Sequence, residues 1–95
     1  METREAFRQK IEAQLKDWGE LLEELKKKAE KATAELKGEH DKEIKALTAK
    51  KKAMQKQLKE FMEASDDAWK IMRKGLEQAA DDLKKAFAKA RKQFK

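Results

Sequence analysis

Residues 11–36 read IEAQLKDWGELLEELKKKAEKATAEL. Within this stretch Ile11, Leu15, Trp18, Leu22, Leu25, Ala29, Ala32 and Leu36 follow one another in strict alternation of four- and three-residue steps. On an α-helix that spacing lays every apolar group along one narrow stripe, the seam of a coiled coil. A second run continues it: Ile44, Leu47, Lys51, Met54, Leu58, Phe61, Ser65, Ala68 and Met72, with Lys51 and Ser65 as polar interruptions. A third is Trp69, Leu76, Ala80, Leu83, Phe87, Ala90 and Phe94. The seam expected to pack or join helices comprises Ile11, Leu15, Trp18, Leu22, Leu25, Leu36, Ile44, Leu47, Met54, Leu58 and Phe61.

Composition agrees with helix throughout. The chain has 95 residues, enough for one domain, and 46% are charged. Ala, Leu, Lys, Glu, Gln and Met, the strong helix formers, dominate. There is no Pro, Val or Tyr, and Ile occurs only at positions 11, 44 and 71, so a sheet is not expected. Acid-before-base pairs such as Glu12–Lys16, Glu23–Lys27, Asp41–Lys45 and Asp81–Lys85 stand four residues apart, as on an exposed helical face.

The fold class is therefore all-α, with elongated coiled-coil-type helices in a single domain over residues 1–95. Where the chain breaks is less directly written. Leu36 to Ile44 is eight residues, one more than a heptad, and the slip falls on Gly38-Glu39-His40-Asp41. Gly38 closing one helix and Asp41 capping the next would make a helical hairpin with its break at 37–41. That is the expected architecture; a single long helix and a three-helix bundle stay open. The long helix draws on a repeat of 36 residues linking Ile11, Leu47 and Leu83, then Trp18, Met54 and Ala90, then Leu22, Leu58 and Phe94. Ten turns of helix keep one face across that interval. A weaker candidate break lies at 64–67, where Ser65 would cap and Asp66 and Asp67 suit a helix start; the apolar register across it favours continuity.

Catalytic chemistry is not in evidence. The chain lacks Cys and has one His, so an ordinary zinc site cannot be assembled. His40 reads as a solvated turn or surface residue. Thr3, Thr33, Thr48 and Ser65 have no base-and-orienter set around them, and Gly19, Gly38 and Gly75 are isolated rather than grouped in a phosphate loop. A non-enzymatic protein without cofactor or metal is expected.

The net charge of +6 is uneven. Residues 1–37 balance nine acids with nine bases, whereas 66–95 hold nine bases against five acids, with no acid after Asp82. In the last third Trp69, Met72, Leu76, Leu83, Phe87 and Phe94 share a face, and Lys84, Lys85, Arg91 and Lys92 flank or oppose it. Such a basic amphipathic helix is a candidate partner face or anionic-membrane face. The terminal lysines could hold nucleic acid by its backbone, but no base-reading motif accompanies them, and nucleic acid is not the expected partner. The N-terminus has no secretory pattern and no run nears the ~18 apolar residues of a span, so a cytoplasmic protein is expected. Because a hairpin or a lone helix leaves its stripe uncovered, a homo-oligomer is expected as well.

Thr3-Arg4-Glu5-Ala6-Phe7, Leu15-Lys16-Asp17-Trp18 and Ala64-Ser65-Asp66-Asp67-Ala68-Trp69, followed by Gly75, Ala79-Ala80, Leu83 and Phe94, resemble a bacterial family of short coiled-coil stress-response proteins. The resemblance spans nearly the whole chain. It departs from the family pattern at Gly38, usually another residue, and at Ala80, where a second Trp often stands. It implies a cytoplasmic helical protein linked to stress, acting as an interaction or scaffold protein, and carries no catalytic residue across.

Overall fold

A computed structural model describes residues 3–94. It contains three α-helices, α1 (Arg4–Glu30), α2 (Ala34–Glu63) and α3 (Asp66–Gln93), and no strand among the described residues. The connectors, 31–33 and 64–65, are too short to let a helix do anything but fold back on its neighbour. The three therefore run up, down and up in a rod of 50 × 17 × 16 Å, close to the ~45 Å that 30 helical residues span.

The chain turns where local chemistry allows it. At the start of α1 the Thr3 hydroxyl accepts from Ala6 N–H at 3.0 Å, and at the start of α3 the Ser65 hydroxyl accepts from Ala68 N–H at 3.3 Å. Asp66 and Asp67 then sit in the first turn of α3, where the helix dipole favours them. Thr33 opens α2 in extended conformation but its side chain makes no capping bond. Two tighter bonds, Lys31 N–H to Lys28 C=O and Ala32 N–H to Ala29 C=O, both 3.2 Å, close α1.

Two expectations about breaks are corrected. Residues 37–41 lie inside α2, and Gly38 has no positive φ. A mid-helix Gly costs only about 1 kcal/mol, less than is gained by carrying His40 and Ile44 onward into the core. The weaker candidate at 64–67 is the real turn: Ser65 caps, and the register that crosses it resumes on a different helix. The 36-residue repeat does not mark one continuous helix either. All nine of its members are buried, each set drawing one residue from α1, one from α2 and one from α3 or its C-cap, because each helix sets its own phase against its neighbours.

The core is one continuous stripe from each helix. Phe7, Ile11, Leu15, Trp18, Leu22, Leu25 and Ala29 come from α1, and Ile44, Leu47, Met54, Leu58 and Phe61 from α2. From α3 come Leu76, Ala80, Leu83, Phe87 and Ala90, with Phe94 just beyond its end. Aromatic contacts mark the levels. At one end Phe61 meets Phe7 at 5.2 Å and Trp69 edge-on at 5.7 Å. Further along, Trp18 stacks on Phe87 at 6.0 Å, nearly parallel, and at the far end His40 lies 3.9 Å from the Phe94 ring. His40 is thus a buried residue and not the solvated one expected: it stands four residues before Ile44 and prolongs the α2 stripe. Leu36, expected in the seam, is 48% exposed, since α2 has only begun there and its stripe enters the core one turn later.

Candidate functional site

The face predicted to meet a partner or membrane is inside the molecule. Leu76, Leu83, Phe87 and Phe94 are buried, and Trp69 and Met72 are half-buried against the same core. The turn at 64–65 folds α3 onto α1 and α2, so this stripe is covered by the chain itself. The expected oligomer seam meets the same end: Ile11, Leu15, Trp18, Leu22, Leu25, Ile44, Leu47, Met54, Leu58 and Phe61 are all buried in one chain. Leu36 and Ile71 are the large apolar side chains left exposed among the described residues, Ile71 at 77%.

What remains outside is charge. Lys84, Lys85, Arg91 and Lys92 are exposed on α3, as is Lys89. Ala88 lies at the centre of the first four, with Lys84 and Lys85 one turn before it and Arg91 and Lys92 one turn after. A methyl side chain is thereby ringed by four cations on an open helical surface. Lys85 pairs with Asp81 at 3.1 Å. Part of the bias answers the helix dipole, since Arg91 and Lys92 occupy the last turn of α3.

The opposite end is organised by arginines. Arg4 reaches from α1 across to the α2–α3 turn, donating to Met62 C=O at 3.2 Å, Ala64 C=O at 2.9 Å and Asp66 at 3.2 Å. Its guanidinium also lies 5.4 Å from the Trp69 ring. The last turn of α2 has no basic residue of its own, so Arg4 satisfies carbonyls that the helix end leaves open. One turn on, Arg8 pairs with Glu5 and with Glu12, the latter at 2.7 Å. The hydrogen bond from Arg8 holds the Glu5 carboxyl below its ordinary pKa. The Arg8 guanidinium is in turn raised, by Glu5 first and Glu12 second. Arg73 pairs with Glu77 at 2.9 Å and lies 5.3 Å from the Phe7 ring.

Between α1 and α2 runs a groove of about 580 Å³. Leu15, Leu58 and Met62 form its floor, and Arg8, Lys16, Lys51 and Lys59 line it with Glu12 and Glu63. Lys51 is the polar interruption of the second apolar run, half-buried where its neighbours in the stripe are fully so. Among the described residues no group of three or more His, Cys, Asp or Glu side chains is placed to hold a metal ion. None of the helices is long and apolar enough to cross a membrane.

The sequence reading missed Phe7, His40 and Arg4. Phe7 stands four residues before Ile11, as His40 does before Ile44, so a backward extension of each run finds both. Arg4 has no such signal: its partners are 58–62 residues away. Comparison with family models, curated proteins and solved structures returns no match to this chain. The resemblance to the stress-response family therefore rests on the quoted residues alone.

Proposed function

We propose that the protein is a non-enzymatic helical interaction or scaffold protein of the cytoplasm, linked to stress responses, whose contacts with other chains are made by its exterior. The observation that carries this reading is the ring of Lys84, Lys85, Arg91 and Lys92 around Ala88. It is an exposed basic patch on a rigid helix, and it complements an acidic partner surface. Apart from Leu36, the seam residues expected to join copies are buried within one chain, so contacts between copies also belong to the exterior. The stress link follows from the family resemblance.

A photo-crosslinking residue at Ala88, compared with one at exposed Gln9 on α1, tests the reading in cells. Adducts of defined mass at position 88 that vanish when Lys84, Lys85, Arg91 and Lys92 become Gln support it. Adducts unaffected by that neutralisation, or their absence at both positions, contradict it.

Lipid-surface binding is a second reading, favoured by the clean division of α3. Leu76, Leu83, Phe87 and Ala90 point inward while Lys84, Lys85, Lys89, Arg91 and Lys92 point outward. Released from the bundle, α3 would be a basic amphipathic helix suited to an anionic interface. This reading requires the bundle to open. In a Trp18→Phe variant, vesicles rich in anionic lipid would then shift Trp69 emission to the blue, while neutral vesicles would leave it unchanged.

A further inference from the structure

The α2 stripe steps from Leu47 to Lys51 to Met54, so a lysine occupies a position where Ile44, Leu47, Met54, Leu58 and Phe61 are all buried. Its stem lies along the helix interface and its amine reaches over α1 at Gly19. A Cβ added to Gly19 would stand 3.0 Å from the Lys51 Nζ and 3.8 Å from its Cε. The bare glycine thus leaves the space that the ammonium fills. The Lys51 stem is half-buried while its ammonium still meets solvent, where it stays charged and open to a counter-charge. Among the described residues Lys51 has none: no carboxylate stands at ion-pair distance from it, and the same holds for Lys16 and Lys59. Glu12, the α1 acid that lines the groove, is already engaged by Arg8.

These three ammonium groups border the α1–α2 groove whose floor is Leu15, Leu58 and Met62. Its volume of about 580 Å³ falls within the range of small-molecule sites. Along α2 the lining extends from Lys51 to Glu63, about 18 Å of helix at 1.5 Å per residue. The shape is narrow and long, apolar below and cationic at the Lys16–Lys51 end.

We propose that this groove binds a free long-chain carboxylate, with the carboxylate between Lys16 and Lys51 and the alkyl chain laid over Leu15, Leu58 and Met62 toward Met62. The ligand supplies the missing counter-charge and covers the floor in one step. This assigns a small ligand to the α1–α2 face, separate from the basic patch of α3, and does not depend on it.

The test is a calorimetric titration with dodecanoate and dodecyltrimethylammonium, each below its micelle concentration, and with dodecanol below its solubility limit, with backbone amide NMR to locate the binding. Dodecanoate binds, shifting Leu15, Gly19, Lys51 and Leu58, and dodecanol binds at least tenfold more weakly. Lys51→Met keeps the stem, places an apolar end in the stripe and leaves the fold intact by circular dichroism. It weakens dodecanoate at least tenfold and brings it level with dodecanol. No dodecanoate binding overturns the proposal. So do equal affinities for the three amphiphiles, shifts spread over all three helices, or a Lys51→Met protein that binds dodecanoate as the parent does.

Discussion

Replacing Phe61 by Ala removes a core side chain that touches both other helices. Phe61 is fully buried, with Phe7 of α1 at 5.2 Å on one side and Trp69 of α3 at 5.7 Å on the other. Core Phe→Ala changes cost about 3–5 kcal/mol through lost transfer energy and the cavity left behind. Each aromatic pair adds roughly 0.5–1.5 kcal/mol beyond area, which places this site near the top of that range. Against a total stability of about 5–15 kcal/mol for a small domain, the loss is severe. At about 4–8 °C per kcal/mol for a chain of this size, a loss of about 5 kcal/mol lowers the melting temperature by roughly 20–40 °C. Circular dichroism at 222 nm during heating measures it. Leu36→Ala is the control, because a half-exposed side chain should change stability by no more than about 0.5 kcal/mol. Were Phe61→Ala to melt within about 5 °C of the parent, or Leu36→Ala to fall as far as Phe61→Ala does, the three-helix packing would be refuted.

Gly38→Ala stabilises by about 1 kcal/mol, seen as a higher urea midpoint, because the position is mid-helix and an added Cβ meets nothing within 4 Å; a lower midpoint would mean that the chain turns there. Ser65→Ala costs about 1 kcal/mol by removing a cap bond, whereas Thr33→Ala, which removes none, costs clearly less, and paired thermal melts separate the two. Glu5 has its folded-state pKa depressed by Arg8, so its contribution is present at neutral pH and lost as pH falls through that depressed value, below the usual carboxylate range. Glu5→Gln therefore melts below the parent at pH 7 and level with it in strong acid; a gap that persists in acid would assign the effect to something other than this ion pair.

The helical class and the identity of the buried stripe were legible because apolar spacing is a local signal. Ile11 to Ala29 and Ile44 to Phe61 need only a helix and a neighbour to explain them. The turns were harder. Gly38 is the most conspicuous helix-weakening residue, yet a single glycine is tolerated in a helix packed on both flanks. The actual α1–α2 connector, Lys31-Ala32-Thr33, contains no Gly, no Pro and no side-chain cap bond, and so carries almost no mark in the sequence. Ser65-Asp66-Asp67 carried a clear mark, but heptad register across it outweighed the cap, since register alone does not say whether the next turn of apolar residues belongs to the same helix. The sequence marks α3 as apolar on one side and basic on the other. Whether that apolar side is open or covered depends on where the chain folds, which local spacing does not encode. Lys51 and Gly19 were visible singly; only the antiparallel pairing of α1 and α2 brings them together.

The chain has no Cys, so spin labels can be placed cleanly at Lys37 in α2 and Lys92 in α3, both exposed and both at the same end of the rod. His40 and Phe94 in contact at 3.9 Å require these positions to be close. Pulsed electron–electron resonance on labelled protein diluted with unlabelled protein should give a short distance, on the order of 20 Å once tethers are added to the 8–10 Å between helix axes. A distance near 80 Å, the length of an unbroken helix over that interval at 1.5 Å per residue, or a short distance abolished by dilution, would show that α3 does not fold back onto α2 within one chain.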